Sequence, residues 1–354
     1  MPLLARMLTA PLVIDVRRGA VADLGALLAD RRIATEGRVA VAVGPGQGDS
    51  ILRSLDLRPA GVFRVADGTV DTAVALGKRL RAANFEAVAG IGGGKTIDVT
   101  KFAAHMAGMP MVAVATNLAH DGIASPVSSL EHESGKGSYG VAPPVAAVVD
   151  LDRVRAGEPR MIRAGIGDVV AKLNAIADWE LAAADTGEPV DGLAVTLART
   201  AAEAVLHQPG GIDDDEFLTV LAESLLLCGL AMSVAGSSRP CSGGDHEIMH
   251  AIDQLYPATA NHGELAGVGA LFCSFLYQNS ICRNSRRFTL LEHCLAHHGL
   301  PRTPGDLGLT GEQFTKAVLH APSTRPGRYT LLEKLDLPEN EVARQVAEFS
   351  DALA

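Results

Sequence analysis

The hydrophobic period of the chain changes once, and that change constrains the fold more than any other feature. In the first part, short β-branched runs alternate with helical segments: residues 12–16, 39–43, 62–65, 87–91, 111–115 and 146–149 read as strands, and 21–28, 50–55, 70–83 and 96–107 as helices. Strands that are nearly all apolar are buried on both faces, so the reading is an α/β fold with a mainly parallel sheet covered by helices on both sides. From Arg160 onward the period is helical, over 169–184, 190–207, 217–235, 246–255, 266–279 and 288–297. The expected division is an α/β domain over 1–155 and an all-helical domain over 156–354, because Arg153, Arg155, Gly157, Glu158 and Pro159 interrupt both patterns.

Composition narrows the classes of protein this can be. With 354 residues, 47% hydrophobic and 20% charged, the chain has enough apolar material for two cores. A net charge of −10 without any Lys/Arg run excludes a nucleic-acid surface, which needs clustered cations. The five cysteines, Cys228, Cys241, Cys273, Cys282 and Cys294, are odd in number and form no CxxC pair, which points to a reducing cytoplasm. The N-terminal stretch 1–20 is interrupted by Arg6, Asp15, Arg17 and Arg18 and reads as the first strand, not a signal peptide. The longest apolar run, 217–236, carries Glu223 and helical spacing, so a buried helix is expected and no membrane span. Residues 266–276 could serve the core or a homo-oligomer interface, the core being the default.

Two motifs follow strand ends in the first domain. Ile91-Gly92-Gly93-Gly94-Lys95-Thr96-Ile97-Asp98 joins a strand to a helix, and three glycines let backbone N–H groups approach a pyrophosphate at the positive helix end. A tight turn alone accounts for one glycine but less well for three followed by lysine. The second motif, Thr116-Asn117-Leu118-Ala119-His120-Asp121-Gly122-Ile123-Ala124-Ser125-Pro126, leaves the neighbouring strand end and faces the same crevice. Its hydroxyls, Thr116 and Ser125, suit a cofactor, and Asp121 a polyol.

The helical domain holds the histidines. His246 and His250 are four apart on Ser242-Gly243-Gly244-Asp245-His246-Glu247-Ile248-Met249-His250, and His262 follows a Tyr256-Pro257 break, so three imidazoles can converge. Asp168, after Gly165-Ile166-Gly167, is either a helix N-cap or, with His246 and His262, the carboxylate of a metal set with one position open for substrate.

These motifs, with His262-Gly263-Glu264 and Arg325-Pro326-Gly327-Arg328-Tyr329-Thr330, resemble the sn-glycerol-1-phosphate dehydrogenases, within the wider group of glycerol dehydrogenases, iron-containing alcohol dehydrogenases and dehydroquinate synthases. The His120-to-Pro126 loop is the most specific part of the resemblance, which spans nearly the whole chain. It implies a Rossmann-like N-terminal domain and a helical C-terminal domain with the active site between them. It implies metal ligands at Asp168, His246 and His262, usually with zinc, Ni2+ and Fe2+ being other divalent choices. It moves His250 from metal to substrate, pairs it with Asp121 as catalytic residue, and places Gly94, Lys95, Asp98, Thr116 and Ser125 on the nicotinamide cofactor, beside Gly92, Gly93, Thr96 and Asn117 of the same motifs.

The strand at 39–43 ends in Gly44-Pro45-Gly46 with no acidic residue to repel a 2′-phosphate, so NADP(H) is expected to serve as well as NAD(H). The implied reaction is reduction of dihydroxyacetone phosphate to sn-glycerol 1-phosphate, with Lys172, Arg239 and Arg325 as candidate partners of the phosphate. Dehydrogenation of another polyol or cyclitol is the alternative, ahead of a dehydroquinate-synthase-like cyclisation.

Overall fold

A computed structural model describes residues 9–55, 58–133, 135–283 and 285–353; residues 1–8 of the N-terminal stretch lie outside them. The chain divides into two compact units, Met1–Pro159 and Arg160–Ala354.

The first unit runs β1 (Val13–Arg17), α1 (Leu24–Leu28), β2 (Val39–Val43), α2 (Gly48–Ser54), β3 (Gly61–Arg64), α3 (Val70–Ala82), β4 (Ala87–Gly92), α4 (Gly94–Ala107) and β5 (Met111–Ala115). It continues with β6 (Val127–His132), β7 (Gly135–Gly140), β8 (Ala146–Asp150) and α5 (Leu151–Arg155). Six strands form one parallel sheet in the order β1-β8-β5-β4-β2-β3, while β6 and β7 pair separately as an antiparallel hairpin. The four inner strands are buried at every residue, which is why they read as continuous apolar runs and not as alternating ones.

From β2 the chain winds outward to β3, and from β4 it winds the other way to β5 and β8. The carboxyl ends of β2 and β4 therefore flank a topological switch point, where open α/β sheets bind ligands. One face of the sheet packs Val39, Val41, Val43, Ala89, Ile91 and Val114 against Leu24, Leu28 and Ile51.

The second unit is helical among its described residues: α6 (Pro159–Thr186), α7 (Gly192–His207), α8 (Asp215–Ala235), α9 (Gly244–Leu255), α10 (His262–Ser280), α11 (Arg287–His297), α12 (Gly311–Thr324), α13 (Leu331–Leu335) and α14 (Glu339–Asp351). Helix α8 is long and apolar enough to cross a bilayer by length and composition, but 67% of its apolar window is buried inside the protein, as a core helix requires. Residues 265–277 of α10 are all buried, which places that apolar run in the core of this unit.

Six elements escape the sequence reading. The β6–β7 hairpin is mostly polar, and α12 contains Pro322 in its last turn. Helix α14 buries only Val342, Gln345, Val346 and Phe349, a narrow stripe on a charged helix. Helices α5 and α13 have five residues each, too short for a period to show.

Candidate metal and cofactor sites

Asp168 is the tenth residue of the 28-residue helix α6 and is fully buried, so the N-cap alternative falls: the helix has already begun at Pro159. His246 sits in the first turn of α9, and His262 is the first residue of α10. One ligand atom from each of Asp168, His246 and His262 lies within 4.8 Å of the other two. Asp168 Oδ1 is 3.5 Å from His246 Nε2 and 3.7 Å from His262 Nε2.

Glycines next to these residues make this convergence possible. A Cβ at Gly263 would overlap the Ala164 carbonyl, and one at Gly167 would overlap the Gly263 carbonyl, so α6 and the start of α10 meet backbone to backbone. Gly269 brings α10 against α9 in the same way, since a Cβ there would lie 2.6 Å from the Asp245 carbonyl oxygen. Asn261 and Glu264 form a capping box at the start of α10, and Glu264 is held by both Nε and Nη2 of Arg160, at 2.7 and 2.8 Å.

The groups around these residues set their protonation. Asp245 accepts a short hydrogen bond from His246 Nδ1, which places Nε2 on the Asp168 side of the ring. Lys172, fully buried one turn along α6, donates to Asp168 Oδ1 at 2.5 Å. Burial pushes the Asp168 carboxyl upward, but Lys172, His246 and His262 together outweigh it and hold the group well below the usual carboxylate range. Burial likewise presses His246 down, and its two carboxylate neighbours raise it above its ordinary value.

Behind this set, Asp178 accepts from Gly244 N at 2.7 Å, Tyr277 Oη at 2.9 Å and Leu331 N at 3.0 Å, tying α9, α10 and α13 to α6. Asn174 donates to both Asp178 and Asp245, at 3.3 and 3.2 Å. A mid-helix Asp four residues after an Asn was the only sequence signal for this hub.

His250 lies one turn beyond His246, and its Nε2 is 2.8 Å from Arg325 Nη2. A guanidinium can only donate, so His250 Nε2 is the acceptor and the imidazole is the neutral tautomer with its proton on Nδ1. Of the expected phosphate partners, Lys172 is committed to Asp168 inside the core, and Arg239 holds Glu188 with two nitrogens. That expectation is corrected for Lys172; Arg239 keeps Nη1 without a partner, and Arg325 also remains.

In the first unit the two motifs meet at the switch point. Gly44 N donates to the Ile91 carbonyl and Thr116 N to the Gly92 carbonyl, both at 3.0 Å, so the ends of β2, β4 and β5 stand side by side. A Cβ at Gly93 would lie 2.6 Å from Asn117 Nδ2, and one at Gly94 would overlap His120 Nε2. Helix α4 starts at this turn without a side-chain cap, leaving its first N–H groups for a ligand.

Lys95 is exposed, whereas Thr96 is buried against Gly44 and Gly92. Asp98 is buried 3.1 Å from Lys101 Nζ. Thr116 and Ser125 are buried, while Asn117 and Asp121 are half-buried. Sequence reasoning missed Lys101. Its ammonium, fully buried, donates to the carbonyls of Gly122 at 2.7 Å and Val127 at 2.5 Å and to Ser125, and so pins the 120–127 loop to α4. The spacing Asp98–Lys101, a charged pair inside an apolar helix, was the available signal.

A doubly wound parallel sheet with a glycine turn at its switch point, joined in one chain to a helical unit that gathers a carboxylate and two imidazoles, defines the class of the iron-containing alcohol dehydrogenases. The family model for that class, "Iron-containing alcohol dehydrogenase", matches residues 15–157. A probable glycerol dehydrogenase from Sinorhizobium meliloti superposes with a TM-score of 0.79 over 99% of both chains at 20% identity, a likeness of fold. The glycerol-1-phosphate dehydrogenase (NAD(P)+) of Thermofilum pendens is 38% identical over 295 residues, covering 82% of each chain. That of Methanothermobacter thermautotrophicus is 31% identical over 357 residues, covering 98% of this chain and 99% of the relative. The chain belongs to the glycerol-1-phosphate dehydrogenase family of NAD(P)-dependent oxidoreductases.

Proposed function

We propose that this protein interconverts dihydroxyacetone phosphate and sn-glycerol 1-phosphate with NAD(H) or NADP(H) and a divalent metal. The observation that carries the reading is the convergence of Asp168, His246 and His262 in a member of this family. A buried carboxylate kept ionised by Lys172, with two imidazole Nε2 atoms, is a donor set suited to zinc, and also to Ni2+ or Fe2+. A metal so bound supplies Lewis-acid polarisation of a carbonyl. The nicotinamide supplies the hydride.

The chain's own residues bind and orient. The N–H groups at Gly93 and Gly94 and the Lys95 ammonium receive the cofactor phosphates at the start of α4, next to Gly92. Thr96 and Asp98 hold the turn and its lysine in shape, and Thr116, Asn117 and Ser125 line the loop beside it. His250 contacts substrate with its proton at Nδ1, while Arg325 on Nε2 keeps the ring from turning. Asp121 contacts a substrate hydroxyl. Among the described residues the five cysteines form no disulfide, which fits a cytoplasmic location.

The test follows NADPH oxidation with dihydroxyacetone phosphate before and after chelation, in the wild type and in Asp168→Ala, His246→Ala and His250→Ala. The reading requires chelation, Asp168→Ala and His246→Ala to remove both metal and activity, and His250→Ala to remove activity with metal retained. Full activity after exhaustive metal removal refutes it; turnover of unphosphorylated polyols with none of the phosphate ester selects a polyol dehydrogenase instead.

A further inference from the structure

Three arginines stand together at the end of α12 and the start of the 3-10 turn before α9, and their charges do not balance. Arg239 is neutralised by Glu188. Arg325 and Arg328 have no carboxylate within ion-pair distance among the described residues. Their anchors are neutral: Arg328 donates to the Ser242 carbonyl at 2.5 Å and to Ser238 Oγ at 3.0 Å, and Arg325 to Ser238 Oγ at 3.4 Å and to His250.

Burial, then repulsion from Arg325 and Arg239, presses the Arg328 guanidinium down to about 10. Two donors, Nε of Arg325 and Nη1 of Arg239, are buried with no hydrogen-bond partner. Buried donors and uncompensated like charges are costly, and a bound anion relieves both. An open depression of about 470 Å³ is lined by Ser237, Arg239, Arg325, Gly327 and Arg328 together with Glu188.

We infer that Arg325 and Arg328, braced by Ser238, seat the phosphoryl group of the substrate. The inference rests on the function proposed above and names which residues give it a phosphate requirement. The spacing agrees. Arg325 touches His250, and His250 is one helical turn, about 5.4 Å of rise, beyond the ligand His246. A three-carbon phosphate ester spans a comparable distance between its carbonyl oxygen and its phosphorus. The paired arginines also match a phosphate better than a lone lysine does, because their planar forks give several parallel N–H···O bonds.

The experiment uses the full-length, metal-loaded protein and its Arg328→Gln and Arg328→Lys variants. Arg328 is chosen because Arg325 holds His250. In Arg328→Gln, kcat/KM for dihydroxyacetone phosphate falls ~10–100-fold, the loss expected for one charged hydrogen-bonding partner. Competitive inhibition by inorganic phosphate weakens by a similar factor, while metal content and NADPH affinity stay as in the wild type. Arg328→Lys recovers part of both losses.

Unchanged KM and unchanged phosphate inhibition in Arg328→Gln overturn the seat while leaving the proposed activity intact. Loss of metal or NADPH affinity in parallel with substrate also overturns it, since that marks a general structural role. If the wild type does not reduce dihydroxyacetone phosphate yet binds inorganic phosphate by calorimetry in an Arg328-dependent way, the activity fails and the seat stands.

Discussion

The Asp168–Lys172 pair offers the sharpest test of the metal assignment, because it predicts how two perturbations depend on each other. Both side chains have no solvent exposure and meet at 2.5 Å. In Lys172→Met the stem still packs, but Asp168 loses the cation that offsets its burial. Removing one member of a buried pair costs about 3–5 kcal/mol. In a unit of this size each kcal/mol is worth ~2–4 °C, so the metal-free variant should melt ~6–20 °C below the metal-free wild type.

A dication bound by Asp168, His246 and His262 would replace the missing charge. The metal should then stabilise Lys172→Met more than it stabilises the wild type, where a hundredfold excess over Kd gives about 2.7 kcal/mol. Reciprocity requires the variant to bind metal more tightly by the same coupling energy. Differential scanning calorimetry with chelator and with added Zn2+ measures both melting shifts, and competition with a chromogenic chelator measures the affinity. If the metal-induced shift is equal in the two proteins, Asp168 does not share its charge between Lys172 and a metal, and the ligand assignment is wrong.

Three further outcomes are expected. Lys101→Met should destabilise the first unit by about 3–5 kcal/mol and weaken NADPH binding, since Asp98 and the loop carbonyls lose a common partner; fluorescence titration with unchanged Kd would count against it. Asp178→Asn, although isosteric, should cost about 2–3 kcal/mol in urea denaturation, because both carboxylate oxygens accept from N–H or O–H donors and an amide must turn its NH2 towards one of them; a loss below ~1 kcal/mol contradicts this.

The third outcome concerns His298, which burial, with help from His297 and Arg163, pushes down to about 4. An unfolded chain protonates it near 6.5, so its contribution is fully present above that pH and is lost as pH falls towards 4. That is about 2 kcal/mol after allowing for its residual exposure, and denaturation midpoints at pH 7 and 5 should differ less in His298→Gln than in the wild type.

The sequence and the structure agree where one residue pattern has one physical solution. The inner strands at 39–43 and 111–115 have no alternative to double burial, and the helices α7 to α11 follow from the 3.6 period. Asp168 was ambiguous because a Gly-Asp pair suits a helix start as well as a helix interior; only the position of Pro159, nine residues earlier, decides it. Lys101, Lys172 and Asp178 were illegible as core residues because a charged side chain is buried only when a partner from elsewhere in the fold meets it. Arg328 was passed over in a motif already quoted for its likeness to the family, since nothing local says that it lacks an acid.

These buried charges bear on what a metal contributes to this fold. In a small zinc domain the ligands have nothing else to hold them, and metal binding is folding. Here α6, α9 and α10 meet through glycine contacts, the capping box at Asn261 and the Asp178 hydrogen bonds, all formed by the chain itself. Lys172 already occupies the electrostatic position opposite Asp168. The proposed ligand set is therefore assembled by folding itself, and if it binds a metal as proposed, removing the ion should abolish activity while leaving the helical unit cooperatively folded. A site built this way can use most of the metal's binding energy to polarise substrate, since little of it is needed to organise the protein.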